Sequence, residues 1–145
     1  GEGYRTNAEG IRQFKELVKD IVDEVIVVPL PHADGADACL HLMSIISMVD
    51  KDLAVVYSKY MPVFFRELLM ERGIKLIDVN DEEYDNLGSN VLALAPRVCV
   101  LLDGNPKVKE DLIANGCTVY TYEGNEISYK GTGGPTCLTH PITRL

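Results

Sequence analysis

Apolar residues recur at three- and four-residue spacing near the start of the chain. Ile11, Phe14, Leu17, Val18 and Ile21 alternate with charged positions behind Asn7, which can cap a helix. The pattern predicts an amphipathic helix over residues 8 to 22. The period then changes, for EVIVVP, residues 24 to 29, is a nearly continuous β-branched run that reads as a buried strand. LPHADGADAC, residues 30 to 39, is a loop by its Pro, Gly and Asp content. LHLMSIISM and LAVVYS follow as two strands around the turn VDKD. Pro62 opens a helix, PVFFRELLMERG, that Gly73 closes. IKLIDV reads as a strand, DEEYDNLG as a short helix or turn, and VLALA and RVCVLL as strands on either side of Pro96. NPKVKEDLIANG is a further helix, with Pro near its start and Gly at its end, and CTVYTY a further strand.

This order repeats. Helices open near residues 8, 62 and 106, and each leads by a short turn to a β-rich run. The implied unit is a helix on a small mixed sheet, seen about two and a half times at spacings of roughly 45 to 55 residues. Such spacings suit a radial or stacked array better than a doubly wound sheet. An incomplete ring fits the pattern, and so does a single α/β sandwich with mixed strands.

Composition narrows the class. Of 145 residues, 46% are apolar and 25% charged, as in one soluble globular domain with a core. No apolar run approaches the ~20 residues of a membrane helix, and GEGYRTNAEG lacks the apolar core of a secretion signal, so the cytoplasm is the expected compartment. A net charge of -8 with dispersed Lys and Arg argues against nucleic acid and suits a small cationic partner. Cys39, Cys99, Cys117 and Cys137 include no C-x-x-C pair, which favours reduced thiols over a zinc ribbon or a disulfide framework. No P-loop, dinucleotide fingerprint or metal-binding His pair is present, and no cofactor is expected.

GTGGPTCLTHP, residues 131 to 141, carries the main chemical candidate. Glycines ahead of Cys137 can bring backbone N–H groups close to a reacting atom, where they would stabilise a thiolate or a tetrahedral intermediate. A reactive thiol also needs a base or cation nearby, for which His140 and His41 are candidates. The alternative is a small buried hydrophobe. His41, between Leu40 and Leu42 in a strand, would face away from two leucines and could point into a cleft as a general base. His32 reads as a solvated loop residue. Arg5 could clamp a substrate carboxylate, or be a surface arginine. Asp34 and Asp37 could contact a cation, or simply be solvated. Cys137 and His41 could both ligate zinc, but two ligands are too few for a structural site.

Three stretches together resemble the guanidino-group-modifying enzymes, most closely the dimethylarginine dimethylaminohydrolase and amidinotransferase branch. GEGYRTNAEG is similar to its glycine-then-RTN segment, CLHLMS to its L-H-L strand, and GGPTCLT to its C-terminal Gly-rich loop, in family order. The resemblance implies Cys137 as nucleophile, His41 as general acid and base, and Arg5 as the clamp for an amino acid carboxylate. It implies an α/β fold of repeated αβ modules in a pentein-type, pseudo-five-fold propeller, of which residues 1 to 145 form about half, the C-terminal half. The implied reaction is hydrolysis of the guanidinium of L-arginine or a methylated arginine through an amidino-thioester. Transfer to an amine acceptor, or a non-catalytic module that pairs with a partner, are the alternatives. Family members carry guanidinium-gripping acids in an N-terminal half, so activity is expected only with that half, or with an oligomeric partner. Arginine deiminases and glycine amidinotransferases tend to have an acid two positions after the histidine. Met43 stands there, which leans toward the dimethylarginine hydrolases.

Overall fold

The computed structural model describes residues 1–38 and 40–142, so Cys39 and the last three residues lie outside it. Helix α1 spans Ala8–Val18 and is capped as expected, with Asn7 Oδ1 accepting from the Gly10 N–H at 2.9 Å. Two ββαβ units follow. The first comprises β1 (Ile46–Asp50), β2 (Leu53–Val56), α2 (Val63–Glu71) and β3 (Lys75–Asp78). A short helix α3 (Asp81–Asp85) leads to the second, made of β4 (Leu92–Ala95), β5 (Val98–Leu102), α4 (Pro106–Ala114) and β6 (Thr118–Tyr122). Each sheet has its middle strand antiparallel to the first and parallel to the third, in the orders β1-β2-β3 and β4-β5-β6. Two separate three-stranded sheets of identical topology are a repeat, and the single-sandwich alternative falls away.

Strand β2 explains why its sequence is an unbroken apolar run. All four of its residues are at most 1% exposed. Leu53 and Val55 face a cluster that includes Val108 and Leu112 of α4, while Ala54 and Val56 face a second cluster with Phe65 and Leu69 of α2. A strand covered on both faces has no polar side to alternate with.

The units are joined by specific polar contacts. Ser47 Oγ donates to Ser89 O at 2.7 Å and accepts from the Val91 N–H at 3.1 Å, and Ser89 Oγ donates to Ser44 O at 2.8 Å. Arg97, held at φ +57 in the β4-β5 turn, reaches Asp50 at 2.9 Å and Asp52 at 2.7 Å in the first unit's hairpin. Glu83 of α3, 4% exposed, accepts from the N–H groups of Lys107 (2.6 Å) and Val108 (3.0 Å), and so caps α4 from a different element.

Three expectations change. The first helix ends at Val18 rather than residue 22, where the Ile21 and Val22 N–H groups both turn back to the Val18 carbonyl. Its apolar stripe faces solvent, with Phe14 54% and Leu17 76% exposed. Residues 24 to 29 are extended but belong to neither sheet. Val28 is buried and Glu24 pairs with Arg72 at 2.5 Å, yet among the described residues the segment's backbone bonds only to Glu2, through Glu2 N–H to Val28 O and Leu30 N–H to Glu2 O, both at 2.8 Å. Finally, LHLMSIISM does not start as a strand. Leu42–Ser44 is a 3₁₀ turn in which Ser44 Oγ accepts from the His41 N–H at 3.1 Å, and β1 begins only at Ile46. A serine hydroxyl that captures a nearby amide competes with ladder formation.

Candidate active site

After β6 the chain makes a wide helical turn, Asn125–Tyr129, and then the glycine loop. Ser128 is fully buried, hydrogen-bonded to the Tyr122 hydroxyl at 2.8 Å, and its carbonyl accepts from the Gly133 N–H at 3.1 Å. The N–H groups of Cys137 and Leu138 both turn back to Gly134 O, at 3.1 and 3.2 Å, and Thr139 Oγ1 donates to Pro135 O at 2.7 Å. At the centre of this loop lies Asn90, 5% exposed, from the segment between α3 and β4. Its Oδ1 accepts from Thr136 N–H (2.9 Å) and Thr136 Oγ1 (2.8 Å), and its Nδ2 donates to Cys137 Sγ at 3.1 Å.

The glycines serve a different end from the one expected. Thr136, Cys137 and Leu138 each commit their backbone N–H within this network, so the donor facing the sulfur is a side-chain amide. A Cβ on Gly134 would lie 2.5 Å from the Asn90 carboxamide, which is why the residue there is glycine.

Cys137 is exposed, and it lines a cleft of about 630 Å³ together with His41 and Arg5. The three candidates, far apart in sequence, therefore share one cavity. Leu40 and Leu42 pack against the core cluster beneath α2, and Leu40 also lines the cleft beside His41, whose backbone is extended (φ −135, ψ 171). The element is a turn and not the strand expected, and Leu40 shares the cleft with His41. His41 is half-buried, and burial, then the positive charge of Arg5, push its pKa below the usual 6.5. A neutral imidazole at neutral pH is the result.

Three carboxylates, Asp34, Asp37 and Asp85, line the same cleft. Asp34 accepts from the Tyr60 hydroxyl at 3.3 Å. Tyr84, on the cleft wall, stacks on Tyr57 with ring centroids 3.7 Å apart, and burial pushes its hydroxyl up to about 12. It remains a neutral phenol. Met43 points elsewhere, into a separate apolar groove with Ile46 and Met48.

Other candidates lie outside this cleft. His140 is exposed and not among its lining residues, and His32 pairs with the Tyr4 hydroxyl at 2.6 Å. Cys99 and Cys117 are buried, and burial followed by the neighbouring Cys117 raises the Cys99 thiol to about 12, as befits an inert core thiol. Among the described residues no group of three or more His, Cys, Asp or Glu side chains is placed to hold a metal ion. Asn90, Tyr84 and Asp85 escaped the sequence reading. GSN ahead of β4 has the composition of a turn, and nothing in the spacing links residue 90 to residue 137.

Comparison with known proteins defines the class. Structures of the pentein-type propeller superpose on this fold. DDAH from Pseudomonas aeruginosa, in complex with citrulline, aligns with a TM-score of 0.73 at 22% identity, over 94% of this chain and 48% of its own. The arginine dihydrolase ArgZ of the cyanobacterial ornithine-ammonia cycle aligns with a TM-score of 0.77 at 19% identity, over 99% of this chain and 22% of its own. The family model for arginine deiminase matches residues 58–144, and the chain belongs to that family, within the guanidino-group-modifying superfamily. Arginine deiminase from Rhodococcus opacus (strain B4) is 29% identical over 175 residues, which cover 99% of this chain and 42% of that protein. The chain thus spans less than half the length of this relative. The matched residues 58–144 include the Cys137 loop, whereas His41 and Arg5 precede them.

Proposed function

We propose that this chain is the C-terminal half of a cysteine-dependent hydrolase acting on the guanidinium of L-arginine or a methylated arginine. The observation that carries this reading is the convergence of Cys137, His41 and Arg5 on one cleft that also presents three carboxylates. A thiol, a neutral imidazole, a guanidinium clamp and negative walls suit a substrate with a carboxylate at one end and a guanidinium at the other.

A guanidinium carbon is a weak electrophile because its charge is delocalised, so it must be held planar and face-on to the nucleophile. Cys137 gives its proton to His41, and the thiolate forms a C–S bond at that carbon. His41 returns the proton to the departing ammonia or amine as the C–N bond breaks, leaving an amidino-thioester. Water then loses a proton to His41 and attacks the same carbon. The thiolate leaves, and the proton returns to restore the thiol. An amine in place of water at the second step makes the same site an amidinotransferase.

The solvent-facing stripe of α1 supports completion of the domain by further modules, or by a second copy of the chain, because a helix with a full apolar face ordinarily covers a sheet. The test is turnover of arginine and dimethylarginine by this chain assembled with its complementary half, with products identified by mass spectrometry. Cys137→Ser is expected to abolish turnover without changing the fold; undiminished turnover in that variant would overturn the proposal.

A further inference from the structure

The carboxamide of Asn90 has only one consistent orientation. The Thr136 N–H can act only as a donor, and it points at Asn90 at 2.9 Å, so the atom facing it must be the oxygen. The amide NH₂ then faces the Cys137 sulfur, 3.1 Å away. A flipped carboxamide would set its NH₂ against the Thr136 N–H, two donors face to face, and lose that bond.

We propose that Asn90 is a positioning residue for the nucleophile, holding the Cys137 loop with its oxygen and stabilising the developing thiolate with its NH₂. A hydrogen bond donated to a charged acceptor is stronger than one to its neutral form, so this contact tightens as the sulfur takes on negative charge. Asn90 also ties the sulfur to the rest of the site. Ser89, next to it in sequence, donates to Ser44 O, and Ser44 caps the turn that begins at His41. A chain of contacts therefore runs from the candidate base to the candidate nucleophile through residues 44, 89 and 90. The proposal rests on the reading of Cys137 as the nucleophile.

The experiment is iodoacetamide alkylation of this chain and of Asn90→Asp across pH, with each cysteine followed by peptide mapping. Aspartate keeps the oxygen that Thr136 needs and replaces the donor with a second oxygen facing the sulfur. The expected result is an alkylation midpoint for Cys137 higher by about one pH unit, a roughly tenfold loss of rate below the midpoint. The buried Cys99 and Cys117 should stay protected, which reports an intact fold. An unshifted midpoint with both buried thiols protected overturns the role of Asn90. If the added charge opens the fold, Asn90→Ala removes the donor without it, and an unshifted midpoint there is equally fatal. Failure of the underlying reading looks different, since Cys137 of the parent chain would then alkylate no faster than an unfolded thiol.

Discussion

Single residues shape the loop that places Cys137 in the cleft. Gly134→Ala forces a methyl into the space of the Asn90 carboxamide. Overpacking of this kind costs about 1 to 3 kcal/mol, and here the strain falls on the loop that holds the sulfur. The expected outcome is slowed alkylation of Cys137 together with a lowered unfolding temperature, read by thermal denaturation. His41 makes a separate prediction about pH. Its folded-state pKa lies below the unfolded value, because burial and Arg5 both oppose the charged form. The unfolded chain therefore binds more protons in the window below 6.5, and the stability conferred by the neutral imidazole is present above that pH and is lost as pH falls. His41→Gln, which does not titrate, should show a shallower drop in unfolding temperature from about pH 7 to pH 5 than the parent. Parallel profiles for the two proteins would show that this position carries no such linkage.

At the scale of elements, helix α4 depends on a residue it does not contain. Asn105 precedes Pro106 but makes no side-chain cap, and the Glu83 carboxylate takes the Lys107 and Val108 N–H groups instead. Glu83→Ala leaves both donors without an acceptor at a buried helix start and should cost about 1 to 2 kcal/mol in urea denaturation. Glu83→Gln retains one acceptor oxygen and should recover part of that loss. The first helix is the counterexample. Its pattern predicted an amphipathic helix, and the cap and most of its length are as expected, because both depend on neighbours within a few residues. Its last turn and the strand after it are not as expected, because a strand exists only through a partner, and among the described residues the backbone of residues 24 to 29 bonds only to Glu2.

On the scale of the molecule, Ser47 of the first unit bonds to Ser89 just ahead of the second, and the cleft is lined by the segments that flank the two units. Ser47→Ala removes the acceptor of the Val91 N–H and the donor to Ser89 O in a buried setting, at an expected cost of about 1 to 3 kcal/mol. The other boundary is open. Leu17→Lys on α1 should change the stability of the isolated chain by no more than about 0.5 kcal/mol, since Leu17 packs against nothing that folding buries. The same change should weaken association with the complementary modules, measured by light scattering, and unaltered association would place that interface elsewhere.

The repeat was legible along the chain, because helix caps, Pro and Gly punctuation and apolar period are local properties of the polypeptide. So was the cysteine behind its glycines. What the chain alone could not reveal is that residues 5, 41 and 137 line one cleft, since that requires segments far apart in sequence to pack together, as they do through a pair of serines 42 residues apart. Nor could it reveal that the amide beside the sulfur belongs to Asn90. That contact spans 47 residues and exists only because Gly134 lets a side chain from one segment lie against the backbone of another. Local propensity sets the elements, and contacts between distant segments, made under steric constraint, set the site.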